Sequence, residues 1–278
     1  MDKIWLDNDL DLAMTPYKVL GTGCKQGQME FVDDATTLAR MQYQESVFHC
    51  LYKQDTVEKG LREKVRAEVK KQKGREDPEE VEERLEGMRK VFARSCAGYC
   101  VINYVLGLGD RHPDNIMINF KRGNFLHIDF GHFLGVVKRK FGYTRENDPF
   151  VFTPELSYFI NGGKLNRKTK KKELAKLKKQ EEDGRRQTSN YRTMTELEET
   201  DAESVFYEEY DNEGIPEEFK TQNFKEFERC GCLAYNNIRK EGIRLINLFL
   251  IMLSAGMPEL KSEQNLNFLV NRLKLKMS

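Results

Sequence analysis

"LGLGDRHPDNIMINFKRGNFLHIDFGHFLG", residues 106–135, holds three of the chain's four histidines (His112, His127, His132), three aspartates and five of its twenty glycines. Within it, "NIMINF" and "NFLHIDF" read as short apolar strands separated by "KRGN", with Gly123 at the bend, a strong hairpin signal. A turn centred on Arg122 and Gly123 makes Lys121 face Asn124. Counting back along both strands then sets Asn115 opposite Phe130, one step from Asp129. A carboxamide oxygen and a carboxylate thus converge at the open end of the hairpin.

Hard oxygen donors of this kind suit magnesium, which takes one or two protein ligands and completes its shell with phosphate oxygens and water. The spacing therefore points to a nucleotide-bound metal. Just upstream, "GDRHPD" leaves a helix end and brings Asp110 and His112 within a few residues of Asn115. Either can take a proton from an attacking hydroxyl. A base, a metal-binding Asn and an Asp-Phe-Gly carrying the second metal ligand together describe phosphoryl transfer. Singly the residues say less. His127 lies mid-strand and reads as a core histidine, His132 as packing beside the next loop, and Arg111 as a structural ion-pair partner. A lone Asp-Phe-Gly recurs by chance. The ordered set of Asp110, His112, Asn115 and Asp129 across one hairpin is the specific signal.

The chain's 278 residues can bury a substantial core as one large or two small domains. With 46 basic against 45 acidic residues there is no global field to draw nucleic acid, and no nucleic-acid partner is expected. Charged residues make up 33%, above the roughly 25% usual in globular domains, and the excess sits in two blocks. Six cysteines without a signal peptide read as reduced thiols of a cytosolic protein. The pairs Cys96/Cys100 and Cys230/Cys232 lack partners at zinc-site spacing and read as buried small hydrophobes. The apolar run Leu245–Leu253 is too short to span a bilayer and reads as a core helix.

Along the chain, the first 35 residues read as strand, turn, strand around Gly21–Gly27, and Thr36–Lys53 as helical. Residues 55–90 are mostly Glu, Lys and Arg, with apolar residues at Val57, Leu61, Val65 and Val69, then Val81, Leu85, Met88 and Phe92. The composition predicts a solvated helical hairpin. An apolar helix follows at 91–106, and a short helix near Pro154–Ile160. The second charged block runs from Gly162 to about Glu218, basic first and acidic later, with too little apolar content for a core. Helical patterning returns at Phe219–Met257 and Leu266–Leu275.

"GDRHPDNIM" followed by "HIDFGH" resembles the catalytic and activation loops of the phosphoinositide 3-kinase family. "MDKIWLDNDLDLAMTPYKVLGTG", "CAGYCVINYVLGLGD", "FGHFLGVVKRKFG" and "LFLIMLSAGMPEL" also look like family segments, in family order. The resemblance covers most of the chain outside the two charged blocks, which look like insertions at about 55–90 and 162–218. It implies an α+β, bilobal protein-kinase-like fold, with residues 1–35 as the end of the N-lobe and hinge and 36–275 as a mostly helical C-lobe. It implies ATP and Mg2+ as cofactors, Asp110 and His112 in the catalytic loop, and Asn115 and Asp129 as metal ligands. His112 is favoured as base, with Asp110 orienting it or sharing the role, because a neutral imidazole accepts a proton near neutral pH. The family places Tyr17, Glu30, Val32, Met117 and Ile128 around adenine. It makes "GTGCKQG" a tight hairpin, a spacing that matches neither G-x-G-x-x-G nor a Walker loop.

Beyond Asp129, "KRKFG" gathers Lys138, Arg139 and Lys140, with Arg145 five residues on. Cations there can pair with phosphates on an inositol ring, which a serine-containing peptide would not require. This counts against a related protein kinase. The run looks most like the activation loop of class I enzymes, which phosphorylate the 3-hydroxyl of phosphatidylinositol 4,5-bisphosphate. It departs from that class in "YTREND", where Thr144 and Asn147 stand at positions usually basic. The resemblance implies a phosphoinositide headgroup at a membrane surface as partner. A regulatory subunit or small GTPase would act through other domains, and a cytoplasmic enzyme would be recruited peripherally to membrane. Family order places the phosphate-covering loop and the ATP-gripping lysine before Met1, so the expectation is a fragment with weak activity alone. A non-catalytic remnant acting as an interaction module is the other reading.

Overall fold

Asp77, Pro78 and two glutamates announce the longest element, α4 (Pro78–Leu106). The Asp77 side chain caps it by accepting from the Glu80 N–H at 3.2 Å, and Pro78 fills the first turn, where no amide is needed. Gly107 closes it in left-handed conformation, φ 55. In the computed structural model, which describes residues 1–24, 26–44, 54–134, 139–140, 143–144, 150–163, 220–255 and 263–275, helices from before and after it in the chain and a strand of the central sheet pack on this helix.

Helix α3 (Thr56–Lys73) precedes α4 and ends at Gly74, φ 70. The two form the helical hairpin expected for residues 55–90, but it is not a solvated appendage. Val57, Leu61, Val65, Val69, Val81, Leu85, Met88 and Phe92 all lie in the main core with Leu38, Ile116, Ile118, Phe125 and Phe159. A narrow apolar stripe is enough to seat a helix whose remaining surface is charged. The Arg89 guanidinium is buried there too, bonded to Glu58 at 2.9 Å and Glu82 at 2.7 Å. Val65→Ala is accordingly expected to cost about 2 kcal/mol in urea unfolding, where a solvated position would cost under about 0.5.

The central sheet has the order β3 (Ala35–Thr37), β4 (Ile116–Asn119), β5 (Phe125–His127), all antiparallel. Strand β3 falls where sequence periodicity reads helix; the helix α2 (Leu38–Gln44) begins directly after it. The expected β4–β5 hairpin forms, but in another register. Ile116 pairs with His127 and Ile118 with Phe125, and Ile128 donates to the Asn115 carbonyl at 3.1 Å. Asn115 thus faces Ile128, not Phe130. The turn is wider because Asn119 organises it: its Oδ1 accepts from the amides of Lys121 and Arg122, at 3.0 and 2.8 Å. Gly123 closes the turn at φ 83, with any Cβ only 2.7 Å from Met88 Cβ. A shift of two preserves which face each side chain occupies, so Asn115 still lies one step from Asp129. Ile116, Ile118, Phe125 and His127 share the face against α4, where Phe125 meets Phe92 and Tyr99 edge-on. Asn115, Met117 and Ile128 share the other.

A second core joins the C-terminal half of α4 to α1 (Asp2–Leu6), α6 (Gln222–Lys240), α7 (Gly242–Ser254) and α8 (Glu263–Leu273). The short α1 carries no sequence periodicity, yet Trp5 is fully buried and donates to the Ala234 carbonyl at 3.0 Å. In α7, Leu245 and Phe249 are buried while Ile243, Leu248, Leu250 and Ile251 are exposed, so the expected core helix is covered on one side only. Cys96, Cys100 and Cys230 are buried as expected; Cys232 is exposed. Helix α5 (Pro154–Ile160) sits where sequence places it. The strands β1 (Val19–Gly23) and β2 (Gln26–Met29) form the expected hairpin and are exposed throughout. No helix among the described residues is long and apolar enough to cross a membrane. Most of the second charged block, from residue 164 onward, lies outside the described residues, as do residues 45–53.

Candidate active site

Beyond Gly107 the chain is held against the segment that follows β5. Gly109 donates to the His132 carbonyl at 2.9 Å, and Leu134 to the Leu106 carbonyl at 2.6 Å. These bonds bring the Asp110–Asn115 loop beside Asp129. Asp110 and Asp129 both adopt left-handed backbone, φ 62 and 58. Such angles are uncommon outside glycine and mark places where surrounding structure dictates the backbone.

Asn115 ends a one-turn 3-10 helix (Pro113–Asn115) and is buried. Its Nδ2 donates to the Asp110 carbonyl at 2.8 Å, which turns its oxygen away from that carbonyl. Asp129 is exposed; its Oδ1 accepts from the Gly131 amide at 3.2 Å. A carboxamide oxygen and a carboxylate, one buried and oriented and one open to solvent, fit a hard divalent cation that also holds phosphate oxygens. Among the described residues no cluster of three or more His, Cys, Asp or Glu competes for that role. Asp110 is buried, whereas His112 is one-third exposed, with Nδ1 3.9 Å from Asp114 Oδ2. The two base candidates therefore present differently: the imidazole is open to an incoming hydroxyl, and the carboxyl lies under the loop.

His127 is set apart, as its mid-strand place suggests. It is buried with Nδ1 3.1 Å from Asn103 Oδ1. Burial, reinforced by the charge of Arg111, holds it well below the usual histidine range, hence neutral.

The five residues assigned to adenine do not form one uniform set. Val32, Met117 and Ile128 are half-buried apolar residues against the main core. Glu30 is exposed and closes the base of the β1–β2 hairpin, donating its amide to the Lys18 carbonyl at 2.8 Å and accepting from the Lys18 amide at 2.9 Å. Tyr17 adjoins the metal loop: its ring stacks on Phe130, centroids 6.3 Å apart. Burial pushes its phenol up, with nearby Arg111 opposing. Of the basic cluster, Arg139 and Lys140 form β6, paired with β7 (Tyr143–Thr144); Lys138 and Arg145 lie outside the described residues.

Sequence reasoning missed Arg111. Its Nε donates to the Gly109 carbonyl at 3.0 Å and its terminal nitrogens donate to the carbonyls of Ile128, at 2.6 Å, and Asp129, a role that ion pairing alone does not predict. Backbone acceptors leave no trace in a sequence, because every residue carries one.

A mixed helix-and-sheet domain with two loops of this kind belongs to the kinase-like class. The family described as "Phosphatidylinositol 3- and 4-kinase" matches residues 1–189, and the chain belongs to that family. It is 33% identical over its full length to Phosphatidylinositol 3-kinase 1 of Dictyostelium discoideum, covering 13% of that protein. It is likewise 33% identical over 97% of its length to Phosphatidylinositol 3-kinase 2 of the same organism, covering 11%. It is 32% identical over 99% of its length to the human Phosphatidylinositol 3-kinase C2 domain-containing subunit gamma, covering 14%. The chain thus spans a small part of the curated relatives it matches.

Proposed function

We propose that this chain is the catalytic core of a phosphatidylinositol 3-kinase that transfers the ATP γ-phosphate to the inositol 3-hydroxyl, with the 4,5-bisphosphate as preferred lipid. The observation that carries the reading is the pairing of two loops: Asn115, fixed by the Asp110 carbonyl, beside Asp129 at the end of β5, with His112 open on the same loop. Asn115 and Asp129 hold Mg2+, which neutralises charge on the nucleotide phosphates when bound. His112, or Asp110 with it, takes the proton of the inositol 3-hydroxyl as that oxygen bonds to the γ-phosphorus and the bond to ADP breaks. Val32, Met117 and Ile128 offer apolar surface to adenine, with Tyr17 and backbone groups of the Glu30–Val32 segment at its edge. Lys138, Arg139, Lys140 and Arg145 pair with headgroup phosphates. The enzyme works in the cytoplasm and is recruited peripherally to membrane, with a regulatory subunit or small GTPase acting through other domains.

The test is ATP-dependent phosphate incorporation into phosphatidylinositol, its 4-phosphate and its 4,5-bisphosphate, by this chain alone and joined to whatever coding sequence precedes it. Absence of any 3-phosphorylated lipid from the joined protein overturns the reading. Phosphorylation of a peptide instead of lipid favours a related protein kinase. The double variant Lys138→Ala, Lys140→Ala is expected to lower kcat/KM for the bisphosphate at least about 10-fold more than for unmodified phosphatidylinositol, one lost charge-assisted contact already being of that order. Equal losses on both lipids would remove these lysines from headgroup recognition.

A further inference from the structure

Arg111 is 2% exposed, and the hydrogen bonds it makes to main-chain oxygens flank the left-handed Asp129 on both sides and the left-handed Asp110 on one. The Gly109 carbonyl belongs to the peptide entering Asp110; those of Ile128 and Asp129 belong to the peptides entering and leaving Asp129. A left-handed non-glycine residue costs on the order of 1 kcal/mol or more and persists only where its surroundings hold it. Arginine is suited to hold such a turn, because its planar fork carries five donors in fixed directions, whereas a lysine ammonium is a point charge on a flexible stem. The Phe130 ring lies 5.8 Å from the Arg111 Cζ and stacks on Tyr17, closing the outer side of the same turn.

We propose that Arg111 is a positioning residue for the metal-binding carboxylate. Its guanidinium locks the backbone on both sides of Asp129, fixing the direction from which that side chain meets a divalent cation, and ties this turn to the Asp110 loop. The proposal rests on the phosphoryl-transfer reading above, since it is the metal that Asp129 is positioned to hold. A merely structural role would lower stability and leave the metal affinity of each folded molecule unchanged.

The experiment titrates Mn2+, as a paramagnetic stand-in for Mg2+, into the full chain with ADP present, read by electron paramagnetic resonance. It compares the wild type with Arg111→Met, Arg111→Lys and Asp129→Asn, and measures metal-free ADP binding and amide exchange over residues 128–131 alongside. Arg111→Met is expected to weaken Mn2+ binding roughly 10- to 100-fold, as loss of an outer-shell partner does. Arg111→Lys should fall between it and wild type, with faster exchange at the Asp129–Gly131 amides and unchanged metal-free ADP binding. Wild-type Mn2+ affinity in both variants overturns the proposal, as does an equal loss of metal-free ADP binding. If Arg111→Met does not fold, Arg111→Lys decides by the same criteria. A wild type that binds neither Mn2+ nor ADP, both alone and joined to whatever coding sequence precedes it, overturns the phosphoryl-transfer reading and this proposal with it, whereas a wild type that binds both, with unaltered variants, overturns the proposal alone.

Discussion

Asp129→Asn is expected to reduce lipid phosphorylation by about 10³-fold or more, in the range that charge stabilisation carries in phosphoryl transfer, while leaving the fold intact. The two halves of that expectation have separate physical grounds. Asp129 holds φ 58, and asparagine is among the few residues that tolerate this conformation. The bond that Asp129 Oδ1 accepts from the Gly131 amide can be accepted equally by an asparagine oxygen. Because the side chain is exposed, unfolding free energy should change by no more than about 0.5 kcal/mol. What the substitution removes is the negative charge, and with it the anionic ligand of the pair. Activity within tenfold of wild type would show that Asp129 does not carry the metal.

His112→Gln and Asp110→Asn belong in the same assay. A general base contributes roughly 10²- to 10⁴-fold, so the larger loss identifies it. The open imidazole and the buried carboxyl give the two substitutions different side effects. Asp110 sits at φ 62 in a loop pinned by its own carbonyl and by that of Gly109, so its replacement also reads out loop geometry.

How far the sequence carries can be judged residue by residue. The hairpin, its glycine turn and the side of the sheet on which Asn115 and Met117 lie follow from alternation and turn chemistry alone. Its register does not, because the side chain of Asn119 widens the turn by hydrogen bonding that composition does not announce. The apolar stripe from Val57 to Phe92 is visible as a period. Its burial is not, because charge content describes the outer faces of those helices and the stripe alone decides the packing. Strand β3 and helix α1, at three and five residues, are too short for either period to show. Within the site, Asp110, His112, Asn115 and Asp129 are legible as residue types in order. The backbone angles of both aspartates and the carbonyl clamp of Arg111 are properties of a folded main chain and appear only with it.

The stability of the chain is expected to fall as pH rises from about 4.5 to about 8, through one carboxyl that takes no part in the proposed chemistry. Glu155, in the first turn of α5, is fully buried, and burial pushes its carboxyl up to about 8 from an ordinary 4.5. Hydrogen bonds from its own backbone amide and from Gln42 Nε2, the latter at 3.2 Å, oppose this but do not cancel it. Its other oxygen is buried without a hydrogen-bond partner among the described residues, so ionisation places charge on an oxygen with no donor. Below pH 4.5 the folded and unfolded chains both hold the proton and the group has no net effect. Between 4.5 and 8 the unfolded chain releases it and the folded chain retains it, so folding takes up a proton and stability declines with each pH unit. Above 8 both states are ionised and the loss levels off, at a ceiling of about 5 kcal/mol for a displacement of this size. Such a loss is a large part of the roughly 5–15 kcal/mol that holds a domain together. Because Glu155 links α5 to α2 through Gln42, loosening should begin where α5 meets α2. Urea unfolding of wild type and Glu155→Gln at pH 5, 6.5 and 8 measures the effect. The two should be close at pH 5 and separate progressively, the Gln variant being the more stable at pH 8 by several kcal/mol. Parallel stability curves across that range would mean that the Glu155 carboxyl reaches solvent and ionises freely in the folded chain.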